Sequence, residues 1–80
     1  MTLYISNLDS RTTEKDINEL FSEFGHVRSG KVRTILDTRT KSSNTFSYIE
    51  MDDADIALRA IEKYDQAVFL GRIITIEKAG

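Results

Sequence analysis

The sequence contains no cysteine and no proline, and its 80 residues include a single histidine, His26. Without cysteine there is neither a disulfide framework nor a thiolate metal site, and one imidazole cannot make a histidine-rich site. A metal enzyme is therefore disfavoured, and no metal or cofactor is expected. Long hydrophobic runs are missing too. Nothing approaches the roughly 20 apolar residues that cross a bilayer, and the N-terminus has no basic-then-apolar signal pattern. The expectation is a soluble intracellular chain, in the cytoplasm or, if eukaryotic, the nucleus. There is no internal repeat, no Gly/Ser-rich linker and no tail of one charge sign, so residues 1–80 read as one domain, close to the lower size limit for a single unstapled core. Bulk charge is small as well. A formal net charge of -2 gives no general attraction for nucleic acid, so any such partner must be argued from local features.

What is present suits a folded globule, with 40% apolar residues. Residues 3–8 (LYISNL) alternate apolar and outward positions as a short strand, and Asn7, Asp9 and Ser10 supply turn chemistry after it. Thr12 or Thr13 can cap a helix whose apolar residues Ile17, Leu20, Phe21 and Phe24 form one stripe, with Gly25 as its stop. His26 then falls where a helix C-terminus favours a cation. Residues 27–36, with Val32 and Ile35 and a break at Ser29-Gly30, suggest a bent or bulged second strand. A long polar hairpin loop over residues 37–44 (DTRTKSSN) leads into a third strand over residues 45–51. Asp52, Asp53 and Asp55 bias negative charge into the start of a second helix, whose stripe is Ala57, Ala60, Ile61 and Tyr64. Val68-Phe69 reads as a short extended piece, Leu70-Gly71 as a turn, and residues 72–77 as a last strand with Ile74 and Ile76 inward.

The order is βαββαβ, an α+β fold of the ferredoxin-like kind. Two helices with one-sided stripes cover one face of a four-stranded antiparallel sheet, and the small Ala57 and Ala60 permit a close approach. The other face is left open. In the third strand Ser47, Ile49 and Met51 alternate with Phe46 and Tyr48, so the two rings fall on that open face.

At these residues the chain resembles the RNA recognition motif family, over essentially its whole length. Residues 3–8 match the family's six-residue strand-one element, with Tyr4 as the aromatic in second place. Residues 44–51 (NTFSYIEM) align with its eight-residue strand-three element, and put Phe46 and Tyr48 on the base-stacking positions. Residues 17–25 (INELFSEFG) resemble its first helix, and residues 70–76 (LGRIITI) its approach to strand four. Three departures stand out: Asn44 where the family usually has Lys or Arg, Thr45 where it has Gly, and Gln66 where a Gly often precedes strand four. The resemblance implies a monomeric, non-enzymatic module that binds single-stranded RNA, or single-stranded DNA, by stacking bases on Tyr4, Phe46 and Tyr48.

Charge is distributed to suit that role. Residues 28–44 hold five basic residues, Arg28, Lys31, Arg33, Arg39 and Lys41, against one acid, Asp37, while both helices are acidic. By alternation Lys31 and Arg33 share the open face with the rings, and Arg39 and Lys41 sit in the hairpin loop, where they can clamp a phosphate backbone. Glu50 and Glu77 share the face and can accept hydrogen bonds from base amino groups or repel phosphate. Asn44, Arg72 and Lys78 complete the expected contact set. Phe21, Phe24 and Phe69 are expected in the core. The competing reading is a protein-interaction module that uses the acidic helices or the sheet face. An enzyme similar to acylphosphatases needs an anion-cradling loop after the first strand, and Ser6-Asn7-Leu8-Asp9-Ser10 offers an acid there rather than glycine.

Overall fold

In a computed structural model every residue is described except His26, Gly30 and Gly80, with Arg28 and Ser29 described by backbone alone. The place expected for His26 beside a helix end and the part of Gly30 in breaking the second strand lie outside the described residues. Along the chain run β1 (Thr2–Leu8), α1 (Glu14–Leu20), a 3-10 turn (Ser22–Phe24), β2 (Arg28–Ser29), β3 (Arg33–Asp37), β4 (Ser42–Glu50), α2 (Ala54–Tyr64), β5 (Val68–Phe69), β6 (Arg72–Ile73) and β7 (Thr75–Lys78).

Local chemistry starts both helices. The Thr13 hydroxyl accepts from the Asp16 N–H at 3.2 Å while the Asp16 carboxylate accepts from the Thr13 N–H at 2.9 Å, a reciprocal cap on two amides that lack helical partners. At α2 the Asp53 carboxylate accepts from the Asp55 and Ile56 amides at 2.9 and 3.2 Å. The first apolar stripe outlasts α1. After Leu20 the chain tightens into the 3-10 turn and ends at Gly25, where φ is 89°. That tightening brings Phe21 and Phe24, three residues apart, onto one side. Both rings then meet Tyr64 of α2 edge-on, at 6.0 and 5.9 Å between centroids.

β1 and β4 are the central strands and run antiparallel. β7 flanks β1, and β2 and β3 both pair with β4 as two pieces of one edge, so the sheet has four antiparallel strands with both helices on one face. Leu3, Ile5, Leu8, Ile49, Met51, Ile74 and Ile76 from the sheet bury themselves against Ile17, Phe21, Ala57 and Ala60. The two alanines are fully covered, which lets α2 lie close on the strands.

Simple alternation along β1 would place Leu8 outward with Tyr4, yet Leu8 is in the core. The register explains it: Ile5 pairs with Ser47 but Leu8 with Thr45, so β1 carries one extra residue there, a bulge with Asn7 at φ 62°. The expected long hairpin loop is instead a four-residue turn, residues 38–41. Residues 42–44 belong to β4 and pair with residues 35–37 of β3. The polar composition of this stretch hid a strand, because every residue of β3 and the first three of β4 are exposed on both sides. The last strand is also divided. Ile74 donates its N–H to the Ala67 carbonyl at 2.9 Å and accepts from the Gln66 N–H at 2.8 Å, so residues 72–73 pair with β5 and only Thr75–Lys78 pairs with β1. Leu70 and Gly71, both at positive φ, close the β5–β6 hairpin as a type I′ turn.

Candidate nucleic-acid interface

The bare face of the sheet is built from the outward positions of the two central strands. Tyr4 of β1 lies directly opposite Tyr48 of β4, with ring centroids 5.1 Å apart and planes inclined at 44°. Phe46, two residues before Tyr48, is 5.8 Å from Tyr4 and 6.1 Å from Tyr48, edge-on to the latter at 88°. Beneath them Ile5, Ser47 and Ile49 are fully buried. The strands are thus anchored from below, and the rings form one cluster on the outer side. Tyr48 remains 47% exposed, and Tyr4 and Phe46 are half-buried. Cross-strand pairing contributes to this cluster. It still leaves ring surface open, and both tyrosine hydroxyls have no hydrogen-bond partner among the described residues.

Arg33 pairs with Phe46 across β3 and β4 and so stands on the ring face. Lys31 is exposed in the break just before β3, outside any strand, so alternation does not govern its direction. Arg39 and Lys41 lie in the turn at the tip of the β3–β4 ribbon, where the Asp37 carboxylate accepts from the Arg39 N–H at 2.9 Å and Lys41 takes φ 57°. Among the described residues none of these four cations is in an ion pair. On other elements Arg11 is bound to Asp9 at 3.1 Å, Lys15 to Glu19 at 3.9 Å and Lys63 to Glu23 at 2.5 Å. The Arg11 guanidinium, hydrogen-bonded to Asp9, holds that carboxyl below its usual range. Lys63 and then the Tyr64 hydroxyl do the same for Glu23, which in return pushes the Tyr64 phenol up.

The two acids of the face differ. Glu50, opposite Thr2, accepts from the Thr2 hydroxyl and from the Met1 ammonium, the latter at 3.2 Å. Glu77 is exposed opposite Tyr4. Asn44, opposite Ile35, lies on the ring side and is exposed. Two expected contacts are not brought to the rings. Lys78 pairs with the core residue Leu3, which assigns it to the helix side of the sheet. Arg72 is in β6, where its guanidinium donates to the Asn7 carbonyl at 3.1 Å and to the Asn7 side-chain oxygen at 2.6 Å, bracing the bulge. Alternation with the inward Ile74 and Ile76 already sets Lys78 on the core side, and Arg72 is taken off the sheet by the division of the last strand at Ile74.

Ile35 is the residue that sequence reading missed. It is 59% exposed beside Asn44 on the ring side, although it was grouped with Val32 as the apolar content of the strand. The signal was in the spacing: residues three apart in a strand face opposite ways, so only one of the two can reach the core. Val32 does.

Residues 3–75 match the profile of the RNA recognition motif, and the chain belongs to that family. It is 38% identical over 78 residues to the serine/arginine-rich splicing factor SR45a of Arabidopsis thaliana, covering 98% of this chain but only 20% of the plant protein. To the putative RNA-binding protein RbpE of Nostoc sp. it is 32% identical over 79 residues, 99% of this chain and 78% of that one. Among solved structures, the RNA-binding protein PG1 shares 34% identity with a TM-score of 0.75, over 99% of this chain and 93% of PG1. The Rna15 RRM with bound RNA has a TM-score of 0.71 over 98% of this chain and 81% of its own, at 19% identity, and is a likeness of fold.

Proposed function

We propose that this chain binds single-stranded RNA across the bare sheet face, as a monomeric, non-catalytic domain acting wherever its RNA is found, in cytoplasm or nucleus. The observation that carries the reading is the cluster of Tyr4, Phe46 and Tyr48, with centroids 5.1 to 6.1 Å apart, on the face that the helices leave uncovered. Each base stacked on a ring contributes about 1–3 kcal/mol, so three rings offer about 3–9 kcal/mol before ordering costs, enough for roughly micromolar binding. Lys31, Arg33, Arg39 and Lys41, without acid partners among the described residues, supply the phosphate contacts that Asn44 does not. Relatives whose names record RNA binding point the same way.

The test is a titration of fluorescent hexauridine against the wild type and the Phe46→Ala/Tyr48→Ala double variant. Micromolar binding by the wild type and a loss of at least about thirtyfold in the variant are expected, from two stacks at the low end of their range. Equal affinities would overturn the reading. Single-stranded DNA of the same sequence measures how far the 2′-hydroxyl matters.

A protein-interaction role is the second reading, favoured by a concavity lined by Phe24, Met51 and Ile56 with Asp52 and Asp53 at its edge. Reversing charge at Asp55 and Glu62, both exposed on α2, is expected on this reading to abolish capture of a protein partner and spare RNA binding.

A further inference from the structure

We infer that the exposed ribbon of β3 and β4 carries a further base-binding position, formed by Ile35 and Asn44, which takes one base flat against Ile35 and reads its edge through the Asn44 amide. The inference rests on the proposed RNA binding and adds to the three rings a place with its own chemistry.

Four observations carry it. Ile35 and Asn44 are directly paired across the ribbon, two pairs beyond Arg33 and Phe46, so both project on the ring side. Ile35 is 59% exposed there, an apolar surface adjoining the aromatic cluster with no core to join. The Asn44 amide has no hydrogen-bond partner among the described residues, which leaves a donor and an acceptor side by side and free. On the opposite side of the ribbon the Thr34 and Thr45 hydroxyls are hydrogen-bonded at 2.8 Å, with Thr45 buried, so the pair is held in register rather than left to slide.

The chemistry follows from the amide. A carboxamide matches an adjacent donor and acceptor, and adenine presents that combination at N6 and N7, where guanine shows two acceptors. Only on its N7 edge is adenine distinguished in this way, since the Watson–Crick edge of every base sets a donor beside an acceptor; a base that lies on Ile35 with its N7 edge toward the amide is therefore selected as adenine. A lysine or arginine at position 44 would offer donors alone, suited to phosphate or to the two acceptors of guanine.

A single adenine moved stepwise through hexauridine tests this. Expected for the wild type is one position at which adenine tightens binding about fivefold, the low end of what one bidentate contact discriminates. In Asn44→Ala that preference disappears, and the oligonucleotide with adenine at that position binds no more tightly than hexauridine. In Ile35→Ala the oligonucleotide with adenine at the preferred position and hexauridine itself weaken together. Both side chains are exposed, and unchanged thermal unfolding of the two variants verifies that they fold. A flat adenine scan, or a preference that survives in Asn44→Ala, overturns the inference while leaving RNA binding in place. Absence of any wild-type binding to hexauridine or its adenine variants overturns both.

Discussion

Gln66 holds φ at 67°, the left-handed region that costs a residue with a Cβ about 1–2 kcal/mol. It is fixed there because its N–H donates to the Ile74 carbonyl at 2.8 Å as the chain turns from α2 into the β5–β6 hairpin. Glycine avoids the steric cost but loses about 0.5–1 kcal/mol more backbone entropy on folding. Gln66→Gly should therefore stabilise the domain by up to about 1 kcal/mol and raise its melting temperature by several degrees, about 4–8 °C per kcal/mol at this size. Thermal unfolding followed by circular dichroism checks this, and a lowered midpoint would mean that the Gln66 side chain holds the turn. Ser47 illustrates a different constraint. It is fully buried between two ring-bearing residues, so its small volume keeps β4 flat against Ile5 while Phe46 and Tyr48 point the other way.

Among the elements, the 3-10 turn and α2 are tied by one exposed cluster: Glu23 accepts from Lys63 at 2.5 Å and from the Tyr64 hydroxyl. Because the folded state depresses the Glu23 pKa, its contribution to stability is present above the ordinary carboxylate value of about 4.3 and is lost as pH falls through the lower folded value. For Tyr64 the folded value is raised, so that contribution is present below the phenol's ordinary pKa and is lost as pH rises through the folded one. Glu23→Gln should lower the melting temperature at neutral pH, with the difference from wild type closing below pH about 4. A difference that persists undiminished in acid would assign the effect to packing.

Elements whose cause is local were legible in the sequence. Thr13, Asp53 and the apolar stripes define both helices, and the alternation of Phe46, Ser47, Tyr48 and Ile49 gives the sides of β4. Elements decided by a partner strand were not. Neither the bulge at Asn7, the extension of β4 back to Ser42, nor the division at Ile74 has a signature in its own segment. The same holds for the site. Three rings and Arg33 could be placed by alternation, as could Ile35 from its spacing to Val32 and Lys78 from its spacing to Ile76, whereas Arg72 depends on its pairing with β5.

For the whole molecule, the two sides differ in how charge is disposed. The described cations at Lys31, Arg33, Arg39 and Lys41 are unpaired, while Lys15 and Lys63 on the helices are neutralised by neighbouring glutamates. The net charge of -2 therefore does not describe what an approaching polyanion meets. Full use of four cations gives a slope of log affinity against log salt near about -3 for a single strand, and Arg39→Ala/Lys41→Ala should bring it to about -1.5. Fluorescence titrations between low and physiological salt measure both. A slope unchanged in the double variant would remove the ribbon tip from the phosphate path.

The tilt among the rings has a consequence for what shape of ligand can be held. Tyr4 and Tyr48 are inclined at 44°, Tyr4 and Phe46 at 47°, and Phe46 and Tyr48 at 88°. Bases in a helix are parallel, and parallel planes cannot lie flat on surfaces set at such angles. A strand that uses two of these rings must open its own stack and turn its bases apart, which a paired duplex does only by melting. On the proposed mode of binding, the angles between three side chains would select single strands before any base edge is read.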